Sequence, residues 1–326
     1  MLGRSASKLL QYALVVWVAV TLNFALPHLA PGDPVDYLYG GDTGDLTPAQ
    51  LEQIRAGYGL DASVPEQYLA FWTNLAGGDL GTSVALNRPV VDVLLERLPW
   101  TLALVGTGIV ASTVLGTLLG ALAAWRRGSR SAAALVSGVL VLDAMPSFWV
   151  GMILIAVFSV TLGWFPSYGA TTIDATGAAW LAEVATRMAL PVATITLATL
   201  GAFFLLTRAA MVTVLDEPFV RHAHAKGLTG RQVALGHALR TALLPVYTNI
   251  TLAAGALLSG AVVVETVFAY PGLGRLIFEA VVVRDYPLLQ GAFLLVTVGI
   301  IGANLVADLT YPLLDPRVRQ GRAALT

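Results

Sequence analysis

Six stretches of this chain are apolar for about as long as a helix must be to cross a bilayer. The hydrocarbon core is about 30 Å thick, so a spanning helix needs about 20 apolar residues. Leu9–Leu29, Thr101–Trp125, Ala132–Thr161, Met188–Thr207, Leu243–Val264 and Leu288–Ala307 meet or approach that length. A soluble fold would also need a charged surface. Only 12% of the 326 residues are charged and 56% are hydrophobic, against about 25% charged in soluble domains. The expectation is an all-α membrane protein with six transmembrane helices. Gly116 and Gly120 make a small-xxx-small face on the second run, as expected where backbones pack closely in lipid.

Charge distribution orients the runs. With the N-terminus cytoplasmic, the inside segments hold 13 of the 19 basic residues, among them Arg126, Arg127, Arg130, Arg221, Lys226, Arg231 and Arg240. Fifteen of the 20 acidic residues fall outside. This is the asymmetry of the positive-inside rule, and it predicts both termini to be cytoplasmic. The first run follows Arg4 and Lys8 like a signal peptide. It is too long for an h-region and lacks a small-x-small cleavage site, so it reads as a retained anchor.

Two loops exceed simple connections. Pro31–Pro99 lies outside and carries ten acidic residues against three basic ones. It holds turn-rich stretches (Pro31–Pro34, Gly40–Gly44) and a short helix candidate opened by Thr47-Pro48. Either a small external cap or a surface that docks a delivery protein fits this pattern. The second long loop, Arg208–Ala242, is basic and inside. Pro218 suits a first helical turn, Asp216 and Glu217 favour the same end, and Gly227 is a C-cap candidate. The spacing predicts a short helix, a tight turn at Gly227 and a second helix from Gly230.

Other chemistry is poorly supported. Without cysteine there is no disulfide or thiolate site. His222 and His224 are two apart and fall on different sides of a helix, and no metal site or catalytic pair is expected. Gly106-x-Gly108 lies inside an apolar helix with no strand before it, which makes it a packing feature. Asn249-Ile-Thr251 is out of reach of glycosylation. Neither lysine, Lys8 or Lys226, belongs to a glycine-rich phosphate loop. Asp143 sits near the middle of the third run, where a charge costs about 2.5–3.5 kcal/mol. It must face protein, water or a partner, either as a structural hydrogen bond near a Pro146 kink or as a wall of a substrate path. Asp308, at a helix C-terminus, calls for a basic partner.

The motifs form a known pattern. Arg221-x-Ala-x-Ala-Lys-Gly227-Leu, followed by His237-Ala-Leu-Arg240-x-Ala-x-Leu-Pro245, resembles the cytoplasmic loop of permease subunits of peptide-type ABC importers (dipeptide, oligopeptide or nickel). His28–Pro34, Gly78–Ser83 with Arg88-Pro and Glu96–Thr101, Pro146–Trp149, Glu265–Gly274 with Arg284–Pro287, and Asn304–Asp308 with Asp315–Arg317 resemble further parts of that family in order. The loop departs from the general importer motif: Arg221, His222 and Ala223 stand where Glu-Ala-Ala is usual, and Gly227 to Pro245 is longer. The peptide branch shares this variant.

The resemblance implies a type I ABC importer permease fold, the first of two permeases, with an extracytoplasmic insertion after helix one. Its divisions would be an anchor and first helix at 1–30, the insertion at 31–98, a transmembrane core at 99–316 with a coupling loop at 212–242, and a tail at 317–326. It implies a second permease, two ATP-binding subunits that carry ATP and Mg, and an external substrate-binding protein as partners. Nucleic acid has no place in it, and this chain needs no cofactor of its own. Arg221, Ala223, Ala225, Lys226 and Gly227 would couple to the ATPase. Small alanines would allow close approach, Gly227 would supply the turn, and Arg221 and Lys226 would pair charges. Asp143, Pro146, Asn249, Glu265, Pro271, Gly272 and Gly274 are candidates for the path or its gate, with Glu265–Pro287 folded in near the outer mouth. Nickel or another small solute, an ion-coupled carrier and a polytopic membrane enzyme are the alternative readings.

Overall fold

The computed structural model describes residues 2–29, 47–57, 61–172 and 176–314. The turn-rich stretches at 31–34 and 40–44, Asp315–Arg317 and the tail at 317–326 lie outside them, as does the Asp308 side chain with its expected partner. Each of the six apolar runs falls in helix: α1 (Leu2–Leu29), α4 (Val90–Trp125), the pair α5 (Arg130–Asp143) and α6 (Ser147–Leu154), α7 (Gly177–Leu215), α10 (Leu239–Val267) and α12 (Tyr286–Leu314). Between them stand α2 (Pro48–Gly57), α3 (Val64–Ala76), a hairpin of β1 (Thr82–Ser83) and β2 (Arg88–Pro89), α8 (Pro218–Ala225), α9 (Gly230–Gln232) and α11 (Leu273–Val282). Among the described residues three helices are long and apolar enough to cross a membrane, Val90–Trp125, Gly177–Leu215 and Tyr286–Val306. A fourth span exists if the bent α5–α6 pair is one crossing.

The third run differs from expectation. Rather than one segment kinked near Pro146, it forms two helices bent by 101°. Proline supplies no N–H to the ladder of α5 and pushes the residue before it out of helical geometry. The chain therefore stops at Asp143 and restarts at Ser147, with Pro146 extended at ψ 138. A π-helical stretch, Ile155–Thr161, closes the segment.

Two compact units divide the chain, one of Met1–Thr101 with Pro271–Ile301 and the other of Leu102–Tyr270 with Gly302–Thr326. The first is built on a cluster of Val90, Val93, Leu94, Leu273, Leu276, Ala280, Leu288 and Ala292. Gly291 lets α12 close on α4: a Cβ there would strike Val90 and fall 3.3 Å from Leu94. On α1, the Asn23 amide donates to the Gln290 carbonyl at 2.8 Å, and Gln290 donates back to the Asn23 carbonyl at 3.2 Å. Helix α3 starts where the amide and hydroxyl of Ser63 both donate to Glu66. It lies on α1 through Phe24, which meets Tyr68 edge-on and Phe71 at a tilt.

In the second unit α4 and α7 run parallel, in a constant register. Gly108 faces Ile195, and Gly116 faces Phe203, whose Cβ would be 2.7 Å from an added methyl. Gly120 faces Thr207 and the Phe204 carbonyl. Between them Thr199 donates to Ser112 at 2.8 Å, 87 positions away in sequence. Small residues every fourth position remove the bulk that would hold the backbones apart.

Candidate functional site

The loop after α7 builds a rigid helix–turn–helix. Helix α8 opens at Glu217 with Pro218 in its first turn, a position where the absent N–H costs nothing. It ends in a Schellman motif: Gly227 takes φ +81 and donates to His224 O at 2.9 Å, and Leu228 donates to Ala223 O at 3.4 Å. Two residues later Thr229 caps α9. Its amide and hydroxyl both donate to Gln232 Oε1 at 2.9 Å, the capping box seen from the helix side. Leu228 is the single residue between the Gly227 turn and the Thr229 cap.

The faces of α8 are distinct. Val220 and Ala223 are buried in a small cluster with Val233, flanked by Leu215 and Leu228. Arg221, Ala225, Lys226 and Gly227 are exposed, with His222, His224 and Phe219. Ala223 thus packs within this chain, and Ala225 is the alanine on the open face. Phe219, 40% exposed at the head of the helix, is a feature that the sequence reading missed; its position one residue after Pro218 carried no signal of outward direction.

Asp216, just before α8, accepts two bonds from Arg127, at 2.7 Å from Nη2 and 3.0 Å from Nη1. The Arg127 hydrogen bond holds the Asp216 carboxyl below its ordinary range; partial desolvation opposes this, and the Arg127 and Arg221 charges reinforce it. A lowered value means the pair is fully formed at and above the usual carboxylate range and is lost only as pH falls below it. The Asp216 carboxylate is therefore ionised at neutral pH.

The path candidates fall on several elements. Glu265 is fully buried in the last turn of α10, where its carbonyl accepts from Tyr270 N at 2.8 Å. The turn that follows is made at Ala269, with φ +46, rather than at Pro271-Gly272; Gly272 is extended. Gly272 and Gly274 are buried and Pro271 half-buried. Leu273 N donates to Thr101 Oγ1 at 2.7 Å, which caps the start of α11. Asp143 ends α5 with its carboxylate against buried Gly201, where any Cβ would clash with it. Pro146 is the break itself, and Asn249 is half-buried on α10.

The residue of this region that the sequence reading left out is Asp285, 1% exposed. It caps α12: Oδ1 accepts from Leu288 N at 3.1 Å, while Oδ2 accepts from the Ser83 hydroxyl and from Ala85 N at 3.0 Å. Gly78 and Gly81, at φ +78 and +81, shape the approach to Ser83. The Gly78–Ser83 and Arg284–Pro287 motifs are therefore two halves of one buried polar joint. Asp followed by Tyr-Pro before an apolar run was a readable N-cap signal.

Residues 116–320 match the family described as binding-protein-dependent transport system inner membrane component, and residues 2–105 match its N-terminal companion family. The glutathione transport system permease protein GsiC of Pectobacterium atrosepticum is 38% identical over 98% of this chain and 99% of its own length. The dipeptide transport system permease protein DppB of Escherichia coli K12 is 37% identical over 93% of this chain and 95% of its own. Among solved structures, the inward-facing MetNI methionine ABC transporter superposes with a TM-score of 0.54 at 17% identity, covering 68% of this chain and 96% of that one. That last likeness speaks for the fold alone.

Proposed function

Because the chain belongs to the binding-protein-dependent transport system inner membrane components, the permease subunits of ABC importers, we propose that it forms one half of a path for short peptides. The observation that carries the substrate class is its identity of 36–38% over nearly the whole chain to permeases named for peptides, dipeptides and glutathione. A second permease would complete the path, two ATP-binding subunits would hold ATP and Mg, and an external binding protein would deliver the peptide. The exposed face of α8, with Arg221, Ala225, Lys226 and the Gly227 turn, would be the surface that meets an ATP-binding subunit. Movement there would open the path alternately to each side.

Vesicles holding the complete complex should take up a labelled dipeptide only when binding protein and ATP are both supplied. Uptake driven by an ion gradient without ATP would point to a carrier instead. Orientation has its own test, made clean by the absence of cysteine. An impermeant thiol reagent should label Asp45→Cys in intact cells and Arg126→Cys only in opened membranes. The reverse pattern would overturn the arrangement.

A further inference from the structure

The end of α4 reaches the α8–α9 element on both of its sides. Before α8, Arg127 grips Asp216 through two nitrogens. After it, the Trp125 ring lies on Gly230, so close that a Cβ there would come within 2.7 Å of Cζ2. Gly230 is the first residue of α9, next to the Thr229 cap. Beneath these contacts Ala121 and Ala124 of α4 share a buried cluster with Met211, Val214, Ala238 and Ala242, the residues that flank the loop on α7 and ahead of and within α10. Helices α7 and α10 are joined to α8 by the chain; α4 reaches it through side chains alone.

An exposed ion pair adds little to stability, and the two side chains here are 49% and 61% exposed. Direction is what it supplies: a planar guanidinium bonded through two nitrogens fixes angle as well as distance. Arg127 touches the α8–α9 element before α8 and Trp125 touches it at the start of α9, so a turn of that element would disturb the end of α4.

We propose that Arg127 is a positioning residue for energy coupling, and that with Trp125 it makes α4 the helix that moves with α8. The inference rests on the reading of α8 as the contact with the ATP-binding subunit. It assigns the pair to transmission, with the docking surface left to the open face of α8.

The test uses the complete complex in proteoliposomes and reads three quantities: retention of the ATP-binding subunits, ATP hydrolysis, and dipeptide uptake. Arg127→Ala should keep the subunits and most of the hydrolysis, while uptake per ATP hydrolysed falls by about tenfold, within the range of a residue along a coupling route. Arg127→Lys, which cannot form the fork, should recover only part of the ratio. The exchange Arg127→Asp with Asp216→Arg should restore it. A wild-type ratio in Arg127→Ala would overturn the proposal, as would an exchange that fails to rescue. Loss of the ATP-binding subunits from Arg127→Ala would overturn it too, by moving the pair to docking. If the unsubstituted complex showed no ATP-driven uptake, the coupling reading itself would fall, and this proposal with it, before any variant was compared.

Discussion

Gly227→Val should stop uptake while the protein still accumulates in the membrane at its normal level. Position 227 sits at φ +81, where a side chain meets the following carbonyl at a cost of about 1–2 kcal/mol, and a β-branched residue is less tolerated still. Relief requires the end of α8 to unwind, which gives up the bonds from Gly227 to His224 O and from Leu228 to Ala223 O. The cost is too small to unfold the whole chain, but it falls on the turn that joins α8 to α9. ATP hydrolysis should therefore persist without transport, or the ATP-binding subunits should detach. Ala225→Glu separates shape from contact: the residue is exposed, so folding should be untouched, and a loss of uptake would support the proposed docking at this face. Full uptake by both variants at normal abundance would refute the coupling role. Ala223→Glu would be a poor choice for this purpose, since it would drive a charge into the cluster with Val220 and Val233.

The other large effect is expected at Asp285, and on stability. Its carboxylate accepts from Ser83, Ala85 and Leu288 in a fully buried setting. Asp285→Ala leaves those donors without an acceptor, and leaving three buried donors unpaired costs about 3–5 kcal/mol in total. Thermal unfolding in detergent should move down by on the order of 10 °C. Ser83→Ala, which deletes one donor and leaves the rest of the joint, should cost a fraction of that. If Asp285→Ala melted within about 2 °C of the unsubstituted protein, the joint would not be what holds the hairpin to α12.

The parts of the structure that follow from short-range physics were legible in the sequence. Thr47-Pro48 does open a helix, Pro218 does sit in a first turn, and Gly227 does take positive φ. Each is decided by a residue's own backbone freedom and its neighbours within four positions. Gly116 and Gly120 pack as their spacing implies. Less legible were features that depend on partners distant in sequence. Ala223 and Ala225 are chemically identical; which one is buried depends on Val233 arriving from the next helix. Pro271 and Gly272 are the breakers nearest the start of α11, yet the left-handed residue is Ala269. The Schellman bonds from Ala269 to Thr266 O and from Tyr270 to Glu265 O hold it there. Pro146 was recognised as a helix breaker, but a sequence does not carry the angle of the break, which is fixed by what the two halves pack against.

The parallel register of α4 and α7 has a consequence for that break. Two neighbouring helices that point the same way along at least 13 residues, about 18 Å, require the chain to travel the same distance backwards between them. Only residues 126–176 are available for the journey, and nearly all the regular structure there is α5, α6 and the π-helical stretch. The bent pair lies on that return, with a 101° corner in it. Its far ends are set by the start of α7 and the finish of α4. A change in the angle at Pro146 therefore shifts one half of that return relative to the other, between the finish of α4 and the start of α7.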